Sequence, residues 1–170
     1  TVDGGANNDT VTGELGDDSI LGGSGDDVLN GNAGNDTVDG GANNDTVTGE
    51  LGDDSILGGS GDDTLNGNAG NDTVDGGTNN DTVTGDLGDD SLLGGSGDDV
   101  LVETNLGGTI TLTVTTLTGI GSDTQTGFEI ATLIAGSGDD TINTSTFTGK
   151  VSLSGGAGAD SLVSGSGNDT

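Results

Sequence analysis

The chain has 170 residues, with 38 Gly, one basic residue (Lys150), no Pro, Cys, Met or His, and a formal net charge of −29. That charge excludes nucleic acid and anionic membrane surfaces as partners, since both are held by Lys and Arg. The missing Cys and His exclude disulfides and thiolate or imidazole metal centres. Only 26% of the residues are hydrophobic, and a chain so polar and so charged is ordinarily disordered. Either it stays unfolded, or something outside the sequence supplies the missing stabilisation.

Thr1-Val2-Asp3 reads as the tail of a repeat, so the chain reads as a window from a longer protein. No signal peptide opens it, and no apolar run approaches the roughly 20 residues of a membrane span. From Gly4 to Val102 it divides into eleven consecutive nonapeptides. Position 1 is always Gly, and position 4 is Gly or Asn. Position 8 is always aliphatic: Val11, Ile20, Leu29, Val38, Val47, Ile56, Leu65, Val74, Val83, Leu92 and Leu101. Position 6 is always Asp: Asp9, Asp18, Asp27, Asp36, Asp45, Asp54, Asp63, Asp72, Asp81, Asp90 and Asp99.

This pattern predicts an all-β fold, a parallel β-roll (a β-helix or solenoid) with 18 residues per coil. In each nonapeptide six residues of Gly, Asn and Asp are expected to form a turn and three to form a strand whose aliphatic side chain faces inward. A strand that short buries nothing alone; stacked coils give a narrow aliphatic ladder. Stacking about 4.8 Å apart also brings position-6 carboxylates of successive coils together, where they repel. A hard cation that takes six to eight oxygens reverses that sign, and calcium fits an oxygen-only ligand set.

Gly22-Gly23-Ser24-Gly25-Asp26-Asp27-Val28-Leu29-Asn30 resembles the repeats-in-toxin (RTX) consensus GGxGxDxUx at every defined position. Other units depart from it. Glu14, Glu50, Asp86, Asn32 and Asn68 replace the second Gly, and Asn7, Asn43 and Asn79 replace the fourth. The resemblance implies that each ion sits between loops on one edge of the roll, one coil apart. Asp9, Asp27, Asp45, Asp63, Asp81 and Asp99 would then line one edge with five gaps, and Asp18, Asp36, Asp54, Asp72 and Asp90 the other with four. Nine ions would bring +18 against 23 acidic residues of this half, so the chain is expected to fold only with calcium.

After Val102 the strict period ends. Thr109-Ile110-Thr111-Leu112-Thr113-Val114-Thr115 alternates polar and apolar, which predicts one longer strand. Gly121-Ser122-Asp123-Thr124 through Gly127-Phe128-Glu129-Ile130 looks like the linker that RTX proteins place between blocks. That pattern runs on through Gly136-Ser137-Gly138-Asp139-Asp140, the calcium motif resumes at Gly155-Gly156-Ala157-Gly158-Ala159-Asp160, and Asp140 and Asp160, close to one coil apart, are candidates to share an ion. The division read from this is a regular calcium-binding roll at 1–102, Thr-rich linker coils at 103–134, and an irregular roll at 135–170. A separate small β domain is the alternative for the second half.

No enzyme is expected. Adjacent acids such as Asp17-Asp18 point apart in a tight turn and recur with the period, and no His is present to activate a Ser or Thr. The true unit is 36 residues, because Thr1–Asp36 and Thr37–Asp72 differ only at Val28 against Thr64. It repeats Leu15, Leu51 and Leu87 in the turns and Leu21, Leu57 and Leu93 on the strands. These leucines either cover their own loops or make lateral contacts with another chain.

The near-identical copies suggest a calcium-dependent structural segment of a secreted bacterial cell-surface protein: an adhesin stalk, an S-layer or an extracellular filament. The alternative is the calcium-folding module of an enzyme or toxin exported by type I secretion, the route associated with the RTX family. The partners expected are calcium ions and either further copies or other surface proteins. Ice binding, known of some RTX adhesin domains, fits poorly because position 5 mixes Asn with Asp.

Overall fold

The computed structural model describes residues 1–113, 115–119 and 121–170. The chain winds as an all-β parallel solenoid of about nine turns. Its strands are β1 (Val2–Ala6), β2 (Thr10–Thr12), β3 (Ser19–Ser24), β4 (Val28–Ala33), β5 (Thr37–Ala42), β6 (Thr46–Leu51), β7 (Ser55–Ser60), β8 (Thr64–Ala69), β9 (Thr73–Thr78) and β10 (Thr82–Leu87). There follow β11 (Ser91–Ser96), β12 (Val100–Leu106), β13 (Thr109–Leu112), β14 (Thr116–Thr118), β15 (Ser122–Thr126), β16 (Ile130–Ala135), β17 (Thr141–Asn143), β18 (Lys150–Ser154) and β19 (Ser161–Val163).

Odd strands from β1 to β11 stack in one wall and even strands from β2 to β12 in the other. Neighbours in a wall pair in parallel with an 18-residue offset, as in Ser55↔Thr73, Ile56↔Val74 and Leu57↔Asp75. Every position of the repeat thus becomes a column running along the solenoid. The position-8 aliphatics form the inner columns of both walls and are buried throughout the regular half from Val11 onward.

Strands and turns differ from the sequence expectation. Most strands in this half are six residues long, not three, and take in positions 7, 8, 9, 1, 2 and 3; the turn is only positions 4 to 6. The reason is alternation. With position 8 facing inward, position 1 also faces inward two residues later, and β6 accordingly buries Val47 and Gly49. Glycine there needs no left-handed backbone; it leaves room for something else inside the coil.

Positions 2 and 4 are where the backbone is left-handed. Glu14, Glu50 and Asp86 adopt φ of 78°, 80° and 67°, which costs an L residue with a Cβ about 1–2 kcal/mol relative to glycine. Glu50→Gly is therefore expected to raise stability at saturating calcium by about 1 kcal/mol, measured by urea denaturation. No gain would mean that the Glu50 side chain makes a compensating contact.

Beyond Val102 the eight-stranded wall continues simply, with β12, β16 and β18 in parallel. The other wall gains an excursion. β15 stacks in parallel on β11, then β14 and β13 follow as antiparallel neighbours, and β17 resumes the parallel stack on β13. The single long strand expected at Thr109–Thr115 is thus not formed: the chain runs out along β13, reverses, and returns along β14. Val114 lies outside the described residues. Thr113 Oγ1 holds the reversal by accepting the Thr115 and Thr116 N–H groups at 3.1 and 2.9 Å. The chain's two aromatic residues, Phe128 and Phe147, are buried in this half.

Candidate metal centres

Each position-6 Asp closes a three-residue turn. Its Oδ1 accepts the backbone N–H of the position-6 Asp one coil earlier, as in Asp27 to Asp45 at 2.8 Å and Asp63 to Asp81 at 2.9 Å. On one edge this ladder links Asp9, Asp27, Asp45, Asp63, Asp81 and Asp99. On the other it links Asp18, Asp36, Asp54, Asp72 and Asp90.

The second oxygen has no such partner. Oδ2 of Asp9, Asp27, Asp36, Asp45, Asp54, Asp63, Asp72, Asp81, Asp90, Asp99 and Asp140 is buried without a hydrogen bond. Buried polar atoms are nearly always satisfied, and a buried carboxylate oxygen left bare is among the costlier exceptions. Here the exception recurs at almost every turn.

The orphan oxygens share one environment. A Cβ built on Gly40 would lie 2.6 Å from Asp45 Oδ2 and 2.7 Å from the carbonyl oxygen of Gly58, one coil on. One built on Gly4 would meet Gly22 O at 2.7 Å and Asp9 Oδ2 at 3.0 Å. The inward space kept free at position 1 is therefore filled by the carboxylate of the same repeat and a carbonyl reaching back from the next coil. Carbonyls at positions 2 and 4 reach the other way: Gly23 O approaches Gly41, and Asn43 O approaches Gly61. In most repeats position 1 thus brings one bare carboxylate oxygen and one carbonyl of the next coil into the same space. Among the described residues no three acidic side chains converge on one point, so backbone oxygens must supply most of any coordination shell.

The electrostatics point the same way. Burial pushes the Asp72 and Asp81 carboxyls up to about 7 and Asp45 to about 6, partly offset by the N–H each accepts and reinforced by neighbouring carboxylates. Asp54, Asp63, Asp90 and Asp99 are raised for the same leading reason. Without a cation, then, the folded roll holds carboxylates that resist ionising at neutral pH.

Other acidic columns avoid this conflict. At position 5 Asn and Asp alternate along each edge, and each side chain accepts the N–H of the next coil, as Asp26 does from Asn44 at 3.2 Å and Asn44 from Asp62 at 3.0 Å. At position 2 Glu14, Asn32, Glu50, Asn68 and Asp86 alternate, and at position 9 Asp39 and Asp75 flank Leu57. Only at position 6 does acid stack on acid coil after coil. A hard cation accounts for that single exception.

The model of the RTX calcium-binding nonapeptide repeat matches residues 3–38, 21–56, 39–74, 48–83, 66–101, 130–146 and 148–170. The chain belongs to the RTX calcium-binding repeat family. RTX repeats bind calcium, and their number here implies multiple ions. No curated protein matches the chain. Among the described residues no helix is long and apolar enough to cross a membrane.

Outside the regular RTX repeats the ladders continue through residues that the period does not mark. Asp90 donates its N–H to Asp123 Oδ1 at 3.0 Å, and Asp99 donates to Glu129 Oε2 at 3.0 Å. Asp123 carried a faint signal, since Gly121-x-Asp123-Thr124 keeps half a repeat; Glu129 carried none. Asp140 Oδ1 accepts the Gly108 N–H at 2.7 Å, and Asp160 Oδ1 accepts that of Asp140 at 3.0 Å, so Asp140 and Asp160 do stand one coil apart. Glu103 occupies the next position 1, with Gly108 at the matching position 6, an exchange of the two residue types. It is fully buried, accepts the Gly85 N–H at 2.8 Å, and burial pushes its carboxyl up to about 8.

Proposed function

We propose that the chain is a calcium-folded structural segment of a secreted bacterial surface protein, such as an adhesin stalk, S-layer or filament. In this reading Asp9, Asp18, Asp27, Asp36, Asp45, Asp54, Asp63, Asp72, Asp81, Asp90, Asp99, Asp140 and Asp160 hold the ions together with turn carbonyls. Residues 1–102 form the regular calcium-binding roll, 103–134 a linker and 135–170 its resumption. The carrying observation is the uninterrupted position-6 column with its bare inward oxygens. Calcium supplies positive charge to that column; the chain's own residues present the oxygens and set the coil spacing. Among the described residues the position-6 carboxylates recur turn after turn without three acids converging on one point, which suits a structural role. Extracellular modules bind calcium with dissociation constants of about 10⁻⁴–10⁻³ M, which suits folding after export.

A surface role needs a lateral contact, and the leucines offer one. Leu21, Leu57 and Leu93 are interrupted by aspartates on their wall. On the other wall Leu15, Ala33, Leu51, Ala69 and Leu87 form one continuous apolar column, with Leu51 and Leu87 62% and 58% exposed. Their exposure favours contact over loop cover, with a second copy as the partner. Leu15→Asn, Leu51→Asn and Leu87→Asn together are expected to reduce calcium-dependent assembly in light scattering at least tenfold, with bound calcium unchanged. Assembly at wild-type levels would remove this column as the contact.

A further inference from the structure

The family match stops at residue 101 and resumes at 130, yet the two carboxylate ladders do not stop there. We propose that the intervening segment completes two more calcium sites, one between Asp90 and Asp123 and one between Asp99 and Glu129. The inference rests on the calcium reading of the position-6 column and extends it to residues that no repeat contains.

The Asp99–Glu129 gap reproduces the regular one on its Asp99 side, while Glu129 itself is exposed. Asp99 is fully buried and its Oδ2 has no partner. A Cβ on Gly94 would lie 2.9 Å from that oxygen and would also meet the carbonyl of Gly127, which stands where the next coil's position-1 carbonyl normally stands. Glu129 Oε2 accepts the Asp99 N–H at 3.0 Å, as the later Asp does in every regular gap. Between Gly127 and Ile130 only two residues intervene, against five between a position-1 Gly and position 7 of a full repeat. The extra methylene of Glu lets the shortened loop deliver its carboxylate to the same place.

The Asp90–Asp123 gap is built from a different connection. β15 arrives from the β14 hairpin instead of from the opposite wall, yet it pairs with β11 so that Thr124 faces Ser91. That register places Asp123 at position 6 and Gly121 at position 4, where a Cβ would meet the Gly88 carbonyl. Asp90 is buried with a bare Oδ2, and its N–H reaches Asp123 Oδ1 at 3.0 Å. The partners lie 33 and 30 residues apart in sequence, so no nonapeptide scan pairs them.

The test is ion counting by native mass spectrometry on the whole chain at stepped free calcium, with circular dichroism reporting sheet content. Glu129→Gln and Asp123→Asn are each expected to lower occupancy by one ion, and the double variant by two, with sheet content near wild type. Asp63→Asn, which borders two gaps of the regular column, should lose one or two ions, and exposed Glu14→Gln none. Loss in Asp63→Asn with full occupancy in the Glu129 and Asp123 variants would overturn this proposal and leave the regular sites standing. Unchanged occupancy in all three would overturn the calcium reading itself. Equal loss in Glu14→Gln would also overturn the proposal, by reducing the effect to net charge. Should a variant lose its sheet signal, terbium luminescence titration of Glu129→Asp, which shortens the reach but keeps the charge, should show one site weakened about tenfold; unchanged titration would overturn it.

Discussion

In excess chelator at pH 7.5 the chain is expected to lose nearly all its β-sheet signal, and to recover it when calcium is restored. At free calcium ten times the dissociation constant each site contributes about 1.4 kcal/mol, and on the order of ten coupled sites contribute about 14 kcal/mol. That equals the whole stability of an ordinary domain, about 5–15 kcal/mol. The effect is total because cation removal leaves buried carboxylates facing one another in two columns. Acid offers a second way to discharge them. Burial raises Asp72 and Asp81 from an ordinary 3.8 to about 7 in the folded roll. Their protonation therefore favours the folded state fully below about pH 4, and that contribution is lost as pH rises through about 7. In chelator, lowering the pH from 7.5 to 4 should restore part of the sheet signal. In saturating calcium the same change should not strengthen the fold, since protons then compete with the ion. Sheet content unaffected by chelator at pH 7.5 would refute the dependence on calcium.

Gly40→Ala is expected to cost about 3 kcal/mol or more and one bound ion, although it adds a single methyl group. The new Cβ would fall 2.6 Å from Asp45 Oδ2 and 2.7 Å from Gly58 O. One of these is a buried carboxylate and the other backbone of the next coil, so neither can step aside without opening the site. Gly5→Ala makes the contrast. Its Cβ would meet nothing within 4 Å, but its φ is +96°, so it should cost about 1 kcal/mol in backbone strain and no ion. Calcium stoichiometry and urea midpoints separate the two cases; equal effects would show that position 1 is glycine for its backbone alone.

The nonapeptide period was legible because a solenoid converts sequence spacing directly into spatial columns. The 18-residue coil, the inner position-8 aliphatics and the position-6 edges all follow from it. The inward direction of position 1 was not legible. Taking Gly40 as part of a turn hid the fact that it continues the strand alternation begun at Val38. The β13–β14 reversal was hidden for another reason. Thr109 to Thr115 has good strand alternation, and nothing local marks the turn that the Thr113 hydroxyl holds. Glu129 was missed because its partner is set by the pairing of β12 with β16, across an excursion of undetermined length in sequence terms.

The alternation of Asn with Asp at position 5 has a kinetic side. Near-identical repeats invite a stacking slip, in which one coil loops out and its neighbours zip together. Looping out the coil at 28–45 would set Asp26 against Asp62, Asp17 against Asp53 and Glu14 against Glu50, three like-charge contacts at once. Looping out the next coil, at 46–63, would instead bring Asp39 against Asp75. Either mistake meets repulsion that the correct stack lacks, so the two-coil unit lets a repetitive chain proofread its own winding.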